Sequence, residues 1–412
     1  MSKEISQVLK GFRDYLPQEQ IARRKIIAKI SEVFERFGFA PIDTPALELY
    51  ELLRGKLGEE EKLIYKFQDF GEREVALRYD LTVPLARVVA NYPDLPKPFK
   101  RYQVANVWRA ENPQKGRFRE FMQCDVDIVG VDSLIADAEV VATLNEAFKS
   151  LEIGDVLVKF NNRQLVDQVL AELKIAKASV GKFMRLIDKL DKMGMEKVKL
   201  ALKQEGFDEK VFQAYETMMD KAGKKFELEF KNLLSSFGVD NIQFDKYLIR
   251  GLDYYTGTIF EFVLKSKPEF GSIAGGGRYD SLIGKISGKD SPAVGGSIGL
   301  DRLFAALTEA GLIAPQTAAE VIVFNLDKNL TADYLNITTN LRNASIDTEF
   351  YYETAKLDKQ FKYAESKNIQ VAVIFGSEES KKRKVNLKNL KEKEQRTVDL
   401  DDLITEVKSM LW

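Results

Sequence analysis

Residues 99–130, FKRYQVANVWRAENPQKGRFREFMQCDVDIVG, are two apolar, strand-like runs joined by a polar tip containing a Pro and a Gly. Runs of this kind around such a tip fold as an antiparallel hairpin, here strands 99–108 and 119–129. A hairpin with one apolar face commits its surroundings to a sheet and a core. Arg109, Lys115, Arg117 and Arg119 crowd this hairpin. Like charges held close repel, so an anion is expected to complete the cluster. Along FMQCDVDIV, alternation puts Gln123, Asp125 and Asp127 on one face and Cys124, Val126 and Ile128 on the other. The polar set fits either the wall of a polar cavity or a solvated strand face. The other fits a core, with Cys124 a small buried hydrophobe.

The chemistry open to the chain is limited by what it lacks. Among 412 residues there is no histidine and one cysteine. That excludes an imidazole base, a Ser-His pair, a His-ligated zinc and an internal disulfide. Carboxylates, guanidinium groups, hydroxyls, amines or the substrate's own groups must act instead. Lys plus Arg (62) and Asp plus Glu (63) nearly cancel, so a polyanion would be met by local patches. The N-terminus lacks the apolar core of a signal peptide, and no apolar run is long enough to span a bilayer. A cytoplasmic protein without a membrane partner is expected.

Helical spacing of Ile21, Ile26, Ile30, Val33 and Phe34 predicts a helix over 18–37, with Pro17 at its entrance and Gly38 at its exit. FAPIDTPALEL reads as extended, because each Pro biases its predecessor away from helix. Thr82 is expected to cap a helix over VPLARVVAN. A helix at 133–149 and a strand VLVKFNN follow, and from about 164 to 235 the pattern is helical throughout. Strands resume with FDKYLIRGLDYYTGTIFEFVLK and GSIAGGGRYDSLIG, then a Gly-rich strand feeds the helix of GGSIGLDRLFAALTEAG. Beyond residue 315, strands and helices alternate, as in a separate α/β domain. The Lys-rich stretch 381–396, KKRKVNLKNLKEKEQR, is expected to form a charged strand pair.

Several segments, in order, resemble the histidyl-tRNA synthetases of the class II aminoacyl-tRNA synthetase group. GFRDYLP is similar to that family's opening motif, FGFAPIDTPALEL to the class motif whose Pro (Pro45) lies at a dimer interface, and RYDLTVPLAR to the amino-acid loop. The basic hairpin resembles the motif that binds ATP and the tRNA acceptor end. RGLDYYTGTIFEF and AGGGRYDSL resemble the two histidine-specific signatures, and GGSIGLDRL the third class motif. The resemblance implies an α+β catalytic core with a mainly antiparallel sheet, a helical insertion and a C-terminal α/β domain. Its implied bounds are 1–163 and 239–315 for the core, 164–238 for the insertion and 316–412 for an anticodon-binding domain.

The implied activity is ATP-dependent formation of histidyl-adenylate from L-histidine, then transfer to the 3′ end of tRNA(His), by a homodimer with Mg2+ accompanying ATP. No metal ligand from a side chain is assigned. By the match, Arg109 and Arg250 are catalytic at the α-phosphate. Arg109, Arg117 and Arg302 bind ATP. Histidine is bound by Asp80, Thr82, Arg109, Gln123, Asp127, Arg250, Tyr254 and Tyr255. The hairpin tip ENPQKGRF would meet the acceptor stem, the C-terminal domain the anticodon, and the 381–396 strip phosphates. The alternative is a non-catalytic paralogue, resembling the regulatory subunit of ATP phosphoribosyltransferase.

Overall fold

The structure, a computed structural model, describes residues 7–56, 58–249, 254–314 and 317–412. It divides into two compact units. One runs up to Asp14 and over Ile26–Leu312; the other comprises Tyr15–Lys25 and Ile313–Trp412.

In the larger unit β1 (Ala40–Pro41) precedes β2 (Leu47–Leu49), β3 (Lys66–Gln68) and β4 (Glu74–Leu77), the last three forming a small antiparallel sheet in the order β2-β4-β3. The hairpin is β5 (Phe99–Trp108) and β6 (Glu120–Val129), within a residue of expectation. After it come β7 (Val156–Asn162), β8 (Ile242–Phe244), β9 (Thr258–Leu264), β10 (Ser272–Arg278) and β11 (Ala293–Gly299). With β1 they make one eight-stranded sheet, β1-β5-β6-β11-β10-β9-β7-β8. Only its two outermost pairs are parallel. The expected mainly antiparallel α+β core is what forms.

Register explains how one face becomes a core. Cys124, Val126 and Ile128 lie opposite Ile298, Gly296 and Val294, and all of these apolar side chains are buried. The helix Leu134–Ser150, capped by Ser133 accepting from the Ile135 N–H at 3.2 Å, covers them with Val140, Val141 and Leu144. Burying such a continuous apolar surface is worth about 25 cal/mol per Å2 removed from water.

Five helices, from Arg163–Glu172 to Glu209–Ser236, lie between β7 and β8. They close their own core around Phe183, Phe212 and Tyr215. Phe160 of β7 ties the longest of them to the sheet, with ring centroids 5.2 Å from Phe230, 5.9 Å from Phe244 and 6.1 Å from Phe226. Gly223 in mid-helix makes this possible, since a Cβ there would lie 2.5 Å from Phe244 Cζ. Phe160→Ala is therefore expected to cost roughly 3–5 kcal/mol, read as a lowered urea midpoint of the transition followed by helical ellipticity.

The helix Thr82–Asn91 starts differently from expectation. Thr82 is its first residue, not its cap; Asp80 Oδ1 accepts the Val83 N–H at 3.0 Å. A carboxylate at a helix N-terminus takes a charge-assisted bond that a hydroxyl cannot match.

The smaller unit holds β12 (Val321–Val323), β13 (Thr348–Phe350), β14 (Val371–Ile374), β15 (Lys384–Asn389) and β16 (Gln395–Asp399), in the order β13-β12-β14-β15-β16. The first three are parallel, and the last two pair as an antiparallel ribbon. Its α/β character is as expected. The charged stretch differs at its start: Lys381 and Lys382 end a short helix, Ser377–Lys382, and Arg383 turns at φ 52° before the strands begin.

Candidate active site

The sheet's other face carries a polar ladder. Arg101, Gln103 and Ala105 of β5 stand opposite Asp127, Asp125 and Gln123 of β6, which face Gly295, Ser297 and Gly299 of β11. All three β6 side chains are buried and line a cavity of about 1030 Å3. The solvated-face alternative is therefore excluded. Asp80, Thr82, Arg109, Arg117, Tyr254, Tyr255 and Arg302 line the same cavity, so every candidate residue that is described meets there. Arg250 lies outside the described residues.

One end of the cavity offers acceptors. Asp80 Oδ2 and Gln123 Oε1 are buried with no hydrogen-bond partner among the described residues, an arrangement that costs stability unless a ligand donates to them. Gln123 Nε2 is held by Ser297 Oγ at 2.7 Å, which aims its amide. Thr82 shares a side-chain hydrogen bond with Tyr254, whose ring lies 4.9 Å from that of Tyr255. Burial pushes the Asp80 carboxyl up against the Val83 N–H and Arg109, which pull it down. A bound cation would complete this end.

Farther along β6, Asp127 is engaged on both oxygens, by a hydrogen bond on Oδ1 and by charge alone on Oδ2, which has no hydrogen-bond partner among the described residues. The Tyr279 hydroxyl donates to Oδ1, and Arg101 Nη2 lies 2.6 Å from Oδ2. Neither Tyr279 nor Arg101 was among the candidates. Tyr279 sits in a quoted motif, and Arg101 shares β5's alternation with Gln103. The signal for both was cross-strand register, which needs the partner strand to be known.

The cations sort into two groups. The Arg109 guanidinium donates through Nε to the Tyr79 carbonyl at 3.1 Å and lies over the Tyr79 ring at 4.2 Å and the Phe121 ring at 5.1 Å. Glu111 is its nearest carboxylate, 4.0 Å away, and also lies 3.4 Å from Arg117. Arg302 donates to the Ser272 carbonyl from the first turn of the helix Leu300–Glu309. Lys115 pairs with Glu309, and Arg119 donates to the carbonyls of Glu111 and Lys10. Arg13, from GFRDYLP, pairs with Asp301 at 3.2 Å and lies 4.1 Å over the Phe118 ring. The expectation that an external anion completes the whole cluster is thus revised. Lys115 and Arg119 serve to hold the tip, while Arg109 and Arg117 share the Glu111 carboxylate and line the cavity, where Glu60 and Asp80 also act on Arg109.

Burial pushes the Asp125 carboxyl up to about 7; Arg101 opposes this and Asp127 reinforces it. A carboxyl raised this far holds its proton more tightly folded than unfolded. Its stabilising contribution is complete below the unfolded value near 4 and is lost as pH rises through 7. Asp125→Asn should therefore match the parent below pH 4 and exceed it at pH 8 by roughly 4 kcal/mol. Parallel melting curves from pH 4 to 8 measure that divergence; parallel pH profiles would refute it.

The histidyl-tRNA synthetase family model matches residues 11–303, and the anticodon binding domain model residues 320–410. The curated histidine–tRNA ligase of Rhodopirellula baltica is 39% identical over 418 residues, covering 95% of this chain and 94% of that protein. The crystal structure of histidyl-tRNA synthetase from Nostoc sp. PCC 7120 matches at TM-score 0.85 and 33% identity, over 98% of this chain and 99% of that one. A structure described as an ATP phosphoribosyltransferase regulatory subunit/histidyl-tRNA synthetase from Bacillus halodurans C shares the fold, at TM-score 0.75 and 22% identity, over 91% and 99%.

Proposed function

The chain belongs to the histidyl-tRNA synthetase family, and from that premise we propose how its side chains divide the reaction. The activity is that of a histidine–tRNA ligase: L-histidine and ATP give histidyl-adenylate and pyrophosphate, and the histidyl group then passes to the 3′ end of tRNA(His). The observation that carries the assignment of roles is the set of buried acceptors without hydrogen-bond partners among the described residues, Asp80 Oδ2, Gln123 Oε1 and Asp127 Oδ2, in one cavity with Arg109.

In the first step a histidine carboxylate oxygen bonds to the α-phosphorus as the bond to pyrophosphate breaks. The nucleophile is already ionised, so a chain without histidine needs no base. It must align two anions and stabilise the charge that grows on the phosphoryl oxygens. Asp80, Thr82 and Gln123 hold the ammonium. Asp127 and Tyr255 bind the ring, with Tyr254 lining the pocket. Arg109 spans the carboxylate and α-phosphate, Arg250 is the second cation that the family resemblance assigns to this step, and Arg117 and Arg302 grip the outer phosphates. Bidentate guanidinium groups suit each of these anions.

Among the described residues no cluster of three or more Asp, Glu, Cys or His is placed to hold a metal. Mg2+ would accompany ATP as the counter-ion of its outer phosphates.

For RNA, the hairpin tip meets the acceptor stem and the smaller unit the anticodon. In the 381–396 strip, Arg383, Lys384 and Arg396 lie 3.0, 3.9 and 2.7 Å from Asp401, Asp399 and Glu394. Such exposed pairs are worth about 0–1 kcal/mol, so phosphates can replace the carboxylates. Dimerisation fits the small sheet: register puts Leu47, Leu49 and Phe67 on one face, all exposed, and a second copy would cover them. A cytoplasmic location is consistent with the absence, among the described residues, of a helix able to cross a membrane.

The regulatory-subunit alternative is not favoured, since the curated relatives matched along nearly the whole chain are histidine–tRNA ligases. Histidine-dependent ATP–pyrophosphate exchange, followed by charging of total tRNA with labelled histidine, tests the assignment. Exchange with charging supports it. Binding of tRNA without exchange would return the chain to the non-catalytic class.

A further inference from the structure

Arg101 is completely buried and lies behind the cavity wall rather than in it. Its Nη2 meets two partners: Asp127 Oδ2 at 2.6 Å and the Leu81 carbonyl at 3.1 Å. Leu81 sits between Asp80 and Thr82, at the ammonium end; Asp127 is at the ring end. One nitrogen therefore bridges the two ends of the amino-acid site. Nε and Nη1 of the same guanidinium are buried without hydrogen-bond partners among the described residues. A buried ion pair seldom adds net stability, and one with two unsatisfied donors adds less. Folding alone does not account for it.

We propose that Arg101 is a positioning residue that sets the length of the amino-acid pocket, by holding Asp127 and the Asp80–Thr82 segment at the separation histidine spans. The proposal rests on the roles given above to Asp80 and Asp127. The strand pairing supports it. Arg101 lies directly across from Asp127, so the bridge is built from backbone register as well as side chains. Without the bridge, Asp127 keeps the Tyr279 bond on Oδ1 but gains rotational freedom about it.

The test is ATP–pyrophosphate exchange with histidine and with homohistidine, its analogue one methylene longer, using Arg101→Met, Arg101→Lys, Asp127→Asn and the double variant Arg101→Met/Asp127→Asn. Arg101→Met should raise KM for histidine about fifty-fold, leave KM for ATP within about twofold, and lower the preference for histidine over homohistidine at least about tenfold. Arg101→Lys, which can hold one partner at a time, should recover part of that preference. Because Arg101 acts mainly through Asp127, the double variant should lie within about fivefold of Asp127→Asn alone. That comparison decides the matter even if Arg101→Met fails to fold, since the double variant carries neither member of the pair. An undiminished histidine preference in Arg101→Met, or a double variant about fifty-fold worse than Asp127→Asn, overturns the proposal. If Asp127→Asn alone leaves KM for histidine unchanged, the role given to Asp127 fails instead.

Discussion

Arg109→Gln is expected to lower kcat for histidine-dependent ATP–pyrophosphate exchange about a thousandfold, roughly 4 kcal/mol of lost transition-state stabilisation. Its guanidinium is positioned by groups that survive the change: the Tyr79 carbonyl 3.1 Å from Nε, and the Tyr79 and Phe121 rings on which it lies. A glutamine amide can still reach that carbonyl, so the fold and melting temperature should hold. What disappears is a fixed cation where the attacking carboxylate and the α-phosphoryl oxygens come together. KM for histidine should rise as well, since the proposed role of Arg109 includes its carboxylate, but by less than kcat falls, because the ammonium contacts proposed for Asp80 and Gln123 remain. Arg109→Lys should recover little, since an ammonium cannot donate to Tyr79 and span two anions in one plane. Stopped exchange and isothermal binding separate these terms. Exchange within tenfold of the parent would remove Arg109 from the chemistry.

How far such a site is legible in sequence depends on whether its geometry is local. The hairpin was legible because alternation and a Pro/Gly tip are written within 32 residues, and the helices because their apolar spacing repeats every turn. The residues on the hairpin and beside it therefore came out together in one cavity. Three features did not. Tyr279 reaches Asp127 across 152 positions of sequence. Arg101 matters through the strand it faces, and the Gly295 register with Asp127 depends on a β6–β11 pairing that no local pattern specifies. The capping of the helix Thr82–Asn91 was misplaced for a related reason. Thr82 is a good cap by propensity, but the stronger acceptor two residues earlier takes the free N–H. The charge at the hairpin is a conflict visible in the sequence, and only part of it is an opening for a ligand. Glu309 and two backbone carbonyls, all distant in sequence or outside side-chain counting, resolve half of it.

Gly295→Ala carries the second large effect, and it follows from packing alone. Gly295 stands opposite Asp127 in the β6–β11 pair. A Cβ at position 295 would overlap Asp127 Oδ1 and lie 2.5 Å from its Cγ. No relaxed side-chain contact is that short, so either the carboxylate swings away or the strands separate. The second course is blocked, because Gly276 on the other side of β11 packs against the backbone of Gly295 and Gly296. The carboxylate must therefore move, giving up the Tyr279 hydroxyl and the Arg101 ion pair together. An uncompensated buried guanidinium then remains, which costs about 3–5 kcal/mol. The variant should melt lower, and its KM for histidine should rise at least about a hundredfold, while KM for ATP, whose proposed ligands Arg117 and Arg302 line the cavity elsewhere, changes little. Pairing Gly295→Ala with both Asp127→Gly and Arg101→Met vacates the space the new methyl needs and removes the guanidinium left uncompensated. The triple variant should regain part of the lost stability without regaining histidine affinity. If stability returned only when histidine binding did too, overlap with Asp127 would not be the cause.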